Sequence, residues 1–518
     1  MRTALQRWLA GRRAWLAGLA GGAALPLGFA PFEWWWLAPF ALSLLFVPAL
    51  CAPRRQALLS AWCFGFASFG LGCWWVYISI SQFGGGPLVA VFVCLVLAAV
   101  FALFPLLAVW LTRRLCPRPG PAAFLLALPA AWILVEWLRS WLLTGNPWLS
   151  VGYTQTGYWL SGVAPVFGVL GVGLLLCLAA GLLAWSVAKA FLLPGASPAG
   201  AAPGRESFSQ NRTRGHASLL QLGVPLLVLL LLPPALDRAW STPTGEPLRV
   251  ALVQGNVPQG EKWLPEQRLP TLERYVSLTV RNWDADLVLW PETAVPDYAH
   301  RVEEMLLRPL RREAARHGTA VVFGAPVHDF NDRQAYNSLV TLDGRRYDKR
   351  HLVPFGEYVP LRDVLGRALD FLGAPMSDFS RGTGHGVLEV AGVPAAASIC
   401  YEVIFPAEIA EALPHARLLL NVSNDAWFGD SLAMHQHLQM ARMRAIETAR
   451  PMIRATNTGI TALIDHRGRV TERLPAFQTG VLRGEVQPRE GGTPYVHWRD
   501  WPVVGFCLVM LIAARRRA

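Results

Sequence analysis

The hydropathy of this chain divides along its length, and that division limits the folds open to it. Up to about residue 240 the sequence is a succession of long apolar runs. From Glu246 to Glu490 it has ordinary globular composition, and one last apolar run then leads into "ARRRA". A helix crosses a hydrocarbon core with roughly 20 apolar residues. The 53% hydrophobic and 16% charged content of the 518 residues is likewise wrong for a purely soluble protein. We expect a polytopic α-helical membrane domain over 1–240, a globular domain over 245–490, and a final transmembrane helix with a basic tail over 495–518.

The apolar runs place about eight transmembrane helices, near 14–31, 34–51, 57–79, 87–112, 121–143, 161–192, 217–234 and 501–514. The first is read as a retained helix, because no small-residue cleavage site follows it. Segment 193–216 is Pro/Gly/Ser-rich and reads as a flexible loop. The net charge of +12 does not point to nucleic acid: residues 245–490 hold 28 basic and 30 acidic side chains. The other basic residues flank the apolar runs and report topology. With a cytoplasmic N-terminus, the inner segments carry Arg2, Arg7, Arg12, Arg13, Arg54, Arg55, Arg113, Arg114, Arg118, Lys189, Arg205, Arg212, Arg214 and Arg515 to Arg517. The outer side keeps only Arg139, Arg238 and Arg499. This asymmetry puts both termini inside and the 245–490 domain outside.

Within that outer domain, apolar strand-like runs alternate with helix-patterned segments at 264–283, 298–317, 404–413 and 433–449. Such alternation predicts an α/β architecture, with polar residues gathered at strand ends, where sites in such sheets are assembled. "LWPET" brings Glu292, "YDKRHLVPFGEYVP" brings Lys349 and Glu357, "SICYE" brings Cys400, and "NVSNDAWFG" brings Asn424 and Asp425. Cys400 is the one cysteine between Cys177 and Cys507. An extracytoplasmic thiol normally pairs, so Cys400 is either an inert buried hydrophobe or a reactive group. A reactive thiol needs a base or a nearby cation. Glu292 is a candidate base, and Lys349 a candidate cation for thiolate and oxyanion.

"WPE", "KRHLVPFGEYVP" and "CYE", in the order Glu, Lys, Cys, resemble the carbon–nitrogen hydrolase, or nitrilase, superfamily. With apolar spans on both sides and "ARMRAIETARPMIRATNTGIT" at 441–461, essentially the whole chain resembles the apolipoprotein N-acyltransferase family. The resemblance implies an extracytoplasmic αββα sandwich on an eight-helix membrane domain in the bacterial inner membrane, and no cofactor. It implies Glu292 as general base, Lys349 as oxyanion stabiliser and Cys400 as nucleophile. Glu357 is then a supporting acid, with Tyr401 and Glu402 beside the nucleophile. Trp148 and Trp263 resemble aromatics near a lipid entrance. The implied partners are a membrane phospholipid as acyl donor and a diacylglyceryl-modified apolipoprotein as acceptor, served by a monomer. Asn146 in "GNPWL" departs from the family pattern, where an aromatic is expected. The alternatives are a membrane-tethered amidase using the same triad with water, or a transporter or receptor with an inactive hydrolase-like domain.

Other features carry two readings each. Glu136 and Arg139, three apart on the fifth span, are either a structural ion pair or a headgroup holder. Trp148 and Tyr153 in the loop that follows read as interface anchors. His435 and His437 in "HQH" invite a metal, but residues two apart point to different helix faces, so no metal is expected. Arg442, Arg444, Arg450 and Arg454 read as a solvated face with ion pairs, or as a phosphate site. Glu402 is either a second base, an orienting group or a salt-bridge partner of a nearby arginine. Trp427 and Phe428 either form a lid or plug the sandwich, and Trp427 is counted with Trp148 and Trp263 as a candidate lipid-binding residue.

Overall fold

The computed structural model describes residues 13–192, 223–358 and 379–517. The expected loop at 193–216, the start of the 217–234 run, and Arg2, Arg7, Arg12, Arg205, Arg212 and Arg214 lie outside the described residues. The chain divides into two compact units. One comprises residues 1–74, 94–238 and 500–518; the other comprises 75–93 and 239–499.

In the first unit the apolar runs are helical but repeatedly broken. Among the described residues, two helices are long and apolar enough to cross a membrane, Gly86–Leu115 and Trp159–Leu192. A third candidate is the pair Arg54–Gly72 and Trp75–Gln82, bent by 55° at the break between them. Trp15–Gly28, Leu37–Cys51 and Gly223–Leu236 are shorter apolar helices. Trp501–Arg516 and Leu128–Arg139 follow the remaining runs. Among the described residues the expected spans are thus apolar helices of unequal length, two or three of them long enough to cross, and proline supplies part of the reason: Pro26 sits in the tight turn Leu25–Gly28, which closes the first helix. Helix Trp15–Ala24 lies directly on helix Arg54–Gly72, and Gly22 is required there. A Cβ at Gly22 would meet the Phe64 carbonyl oxygen at 2.2 Å.

Glu136 and Arg139 are buried in this unit and act as structural groups. Glu136 accepts from the Trp132 indole (3.1 Å) and the Val151 amide (3.0 Å). Arg139 donates to the carbonyls of Asn146 and Trp148 and to Ser150 Oγ. These bonds fold the 144–151 loop inward, and Asn146 Oδ1 accepts the Trp148 amide. The expectation of Trp148 and Tyr153 as interface anchors is therefore corrected: they are 2% and 1% exposed.

The second unit contains two six-stranded sheets. The first runs in spatial order Gly480–Val486, Leu248–Gln254, Leu287–Leu289, Ala320–Asp329, Gln334–Thr341, Arg346–Asp348. The second runs Val470–Leu474, Thr461–Ile464, Met452–Thr456, Leu418–Ser423, Val393–Ile399, Val387–Val390. In each, three central strands are parallel and the flanking strands antiparallel. The parallel strands are joined through helices, as βαβ units require. Alternate residues pack the sheets face to face: Leu248, Val250, Leu252, Leu287 and Leu289 meet Ala397, Ile399, Leu418, Leu420 and Ile453 in one core. Ala251, Val253, Val288 and Phe323 point the other way, onto Leu272 and Tyr275 of helix Pro265–Thr279 and Leu306, Leu310 and Ala314 of the 303–317 helices. Helix Pro406–Ala412 packs on Val393–Ile399. The expected α/β architecture is present. The run "IRATNTGITALID" splits into two antiparallel strands.

Residues 75–93 belong to this unit. Ser79 Oγ donates to the Trp427 carbonyl at 2.6 Å, and Trp75 meets Phe428 edge-on at 4.9 Å.

Candidate active site

Three strand ends and one loop bring the expected residues together. Glu292 follows strand Leu287–Leu289, where Gly324 of the next strand lets the backbone approach. A Cβ there would lie 2.4 Å from the Pro291 carbonyl oxygen. Lys349 follows strand Arg346–Asp348, and its amide bonds the Asn337 carbonyl at 2.8 Å. Cys400 follows strand Val393–Ile399 and opens the turn Cys400–Ile404.

Lys349 Nζ lies 2.9 Å from Glu357 Oε1 and 3.3 Å from Glu292 Oε1, with 1% of its side chain exposed. Asn337 Nδ2 donates to the same two oxygens, at 2.8 Å from Glu292 and 3.0 Å from Glu357. The Asn424 amide donates to Glu292 Oε2 at 2.7 Å. Burial works to raise the Glu292 pKa, but Lys349 and these donors bring it below the ordinary carboxylate value. Burial likewise works to lower the Lys349 pKa, and Glu292 and Glu357 more than reverse it. Glu292 is therefore an anion and Lys349 a cation at neutral pH.

Cys400 keeps part of its surface accessible. Burial, and next the Glu292 charge, push its thiol pKa well up, while Lys349 and a Ser423 hydrogen bond act the other way. At neutral pH these effects leave Cys400 as the thiol, in the field of the Glu292 carboxylate.

Glu402 is buried and collects four donors: the amides of Ile399 (2.6 Å), Arg350 (2.6 Å) and His351 (3.0 Å), and the Tyr347 hydroxyl (2.8 Å). It ties the lysine turn to the cysteine turn. Tyr401 lies against His351 and Phe405, with ring centroids 5.7 and 5.1 Å away. Glu357 Oε2 accepts the Val353 amide at 2.9 Å. Trp263 is 50% exposed, and the Trp427 carbonyl holds Ser79.

Lys262 escaped the sequence reading. Its Nζ bonds the Glu292 carbonyl at 3.2 Å and the Thr293 hydroxyl, with 2% of the residue exposed. Thr293 has a φ of +47°, so this lysine fastens a left-handed turn beside the acid. Burial brings the Lys262 pKa down to about 7, against the pull of Glu292.

The arginines are corrected. Arg444, Arg450 and Arg454 are buried, not solvated. Each is compensated: Arg444 by Glu447 at 2.8 Å, Arg450 by the carbonyls of Ala416 and Gly491, Arg454 by Asp425 at 2.9 Å. Arg442 Nε bonds the Gly468 carbonyl.

The family model for the apolipoprotein N-acyltransferase N-terminal domain matches residues 21–182, and that for carbon–nitrogen hydrolases matches residues 249–494. The apolipoprotein N-acyltransferase of Methylococcus capsulatus is 45% identical over 98% of this chain and 97% of its own length. That of Pseudomonas syringae pv. tomato is 41% identical over 98% and 99%. The chain belongs to the apolipoprotein N-acyltransferase family. Its second unit therefore has the nitrilase-like fold of the carbon–nitrogen hydrolases. A nitrilase-superfamily crystal structure from Saccharomyces cerevisiae matches 48% of this chain and 93% of its own, at 17% identity and a TM-score of 0.37.

Proposed function

We propose that this chain is a phospholipid-dependent acyltransferase that N-acylates apolipoproteins by a ping-pong route. The observation that carries the reading is the buried Lys349 shared by Glu292 and Glu357, with the Cys400 thiol in the field of both Glu292 and Lys349. Glu292 takes the thiol proton as sulfur attacks the ester carbonyl of a phospholipid. Lys349 has three N–H donors, two of them directed at Glu292 and Glu357 among the described residues. The third serves the oxyanion. The carbon–oxygen ester bond breaks, Glu292 returns the proton to the lysophospholipid oxygen, and a Cys400 thioester remains. The α-amine of a diacylglyceryl-cysteine then attacks the thioester. Glu292 takes the amine proton, the carbon–sulfur bond breaks, and the thiol is restored with the amide product.

A lipid chain is held in its bilayer by about 0.8 kcal/mol per buried methylene, so chemistry at the membrane surface avoids extraction into water. We place the enzyme in the bacterial inner membrane. Its apolar runs form the eight spans, its basic segments are cytoplasmic, and its nitrilase-like domain is periplasmic. Trp263, half exposed and next to Lys262, is our candidate for contact with incoming lipid. A buried Trp148 supports the scaffold and not such a contact.

The test is transfer of a labelled acyl chain from phospholipid to a lipopeptide with a blocked or unblocked amine. Glu292→Gln lowers transfer by about 10²–10⁴-fold, the usual loss for a general base, and Cys400→Ala abolishes it. Undiminished transfer by Cys400→Ala, or equal labelling of the blocked peptide, overturns the reading. Release of free fatty acid without amide formation indicates a hydrolase instead.

A further inference from the structure

The backbone at Cys400 is left-handed, with a φ of +52°. Non-glycine residues enter that region rarely and stay only when their surroundings hold them. On the strand side, Glu402 takes the Ile399 amide. On the other side, the Cys400 carbonyl lies 3.1 Å from Nε2 of His437, a residue of helix Leu432–Thr448 that the chemistry above does not use.

The protonation of that imidazole follows from its neighbours. A carbonyl oxygen only accepts, so Nε2 carries a proton. Arg454 Nη2 lies 3.1 Å from Nδ1, and a guanidinium only donates. Nδ1 faces both Arg454 Nη2, a donor, and Asp425 Oδ1, an acceptor, at 3.1 Å each, so the geometry fixes the proton on Nε2 and not the state of Nδ1. Burial, and after it the Arg454 charge, lower the affinity of the ring for a second proton. Asp425 sits opposite, with Oδ1 3.1 Å from Nδ1 and Oδ2 2.9 Å from Arg454 Nη2. Ser423 donates to Asp425 Oδ1. The Phe428 ring meets the imidazole edge-on at 5.8 Å. The side chains of His437, Asp425 and Arg454 are at most 1% exposed.

We propose that His437 is a positioning residue for the nucleophile: its Nε2–H holds the Cys400 carbonyl, and with it the left-handed turn that presents the thiol, while Asp425 and Arg454 hold the ring from its Nδ1 side. Arg454 also balances Asp425, whose negative charge otherwise opposes thiolate formation. The inference deepens the transferase reading and rests on Cys400 as the nucleophile.

The experiment measures Cys400 acylation by intact mass after the full-length protein meets phospholipid, for wild type, His437→Gln and His437→Asn, with a melting temperature for each. Glutamine places an amide donor near the Nε2 position and asparagine reaches only Nδ1. His437→Gln keeps acylation within about tenfold of wild type, because it retains the single hydrogen bond. His437→Asn acylates on the order of 10²-fold more slowly, the effect of a misplaced nucleophile, with the apparent KM for phospholipid unchanged. A purely structural role moves both variants together, in step with their melting temperatures, and that result overturns the proposal. So does wild-type acylation in both. Should neither variant fold, ¹⁵N spectra of histidine-labelled wild type decide: a protonated Nε2 supports the proposal, and an unprotonated Nε2 contradicts it. Absence of an adduct on wild-type Cys400 refutes the transferase reading itself, a separate outcome from indifference to His437.

Discussion

At the scale of single residues, the site is a set of buried charges that hold one another. Lys349 stays charged because two carboxylates share it, and Glu292 stays anionic because Lys349, Asn337 and the Asn424 amide all point at it. Lys262 differs, since its bonds go to a carbonyl and a hydroxyl. With a pKa near 7 in the fold and about 10.4 unfolded, it binds fewer protons folded than unfolded between those values. Stability from this residue therefore rises with pH across that window, and its burial cost is complete below about pH 7. The stability of Lys262→Met relative to wild type should improve by a few kcal/mol between pH 10 and pH 6. Denaturant midpoints at the two pH values check this, and a pH-independent difference contradicts it. Nothing in "GEKWLP" signals that Lys262 is buried, because a lone lysine normally reads as solvated. Arg454 carried a usable signal: it sits in "MIRAT", a strand otherwise without charge and buried on both faces. A charge in such a strand needs a buried partner.

At the scale of elements, Glu402 joins the turn after Arg346–Asp348 to the end of Val393–Ile399. Glu402→Gln keeps the shape but exchanges one acceptor oxygen for an amide that points donors at donors. The expected cost is about 1–3 kcal/mol of stability, together with slower acylation of Cys400. A variant acylated at the wild-type rate separates the clamp from the chemistry and refutes the coupling. In the helical unit, Gly22→Val forces a side chain into the Phe64 carbonyl. It should lower the melting temperature of the detergent-solubilised protein, whereas Gly245→Val, where a Cβ meets nothing within 4 Å, should feel only its backbone strain. Strand ends were legible because Glu292, Cys400 and Asn424 each terminate an apolar run. Strands Arg346–Asp348, Val387–Val390 and Val470–Leu474 were not, being short or largely polar flanking strands. The break at Pro26 is visible as a proline in the apolar run. The 55° bend after Gly72 has no proline to announce it.

At the scale of the whole molecule, the second unit takes in residues 75–93, which the division between apolar and globular composition does not indicate. That segment reads as half of a span by hydropathy alone. Its place follows from Ser79 and Trp75, which engage the Trp427–Phe428 loop. The proposed topology makes its own prediction: a phosphatase reporter at the Asp329–Arg333 loop is active only if exported, while one after Ala518 stays inactive. Activity at the C-terminal position contradicts the orientation. The central claim is that Cys400 carries the acyl chain between two lipids. Intact mass of the full-length protein after phospholipid alone tests it most directly. We predict an increment of one acyl group, absent in Cys400→Ala and discharged on adding a lipopeptide with an unblocked α-amine. An unmodified wild-type mass under conditions of active transfer, or an adduct that survives Cys400→Ala, contradicts it.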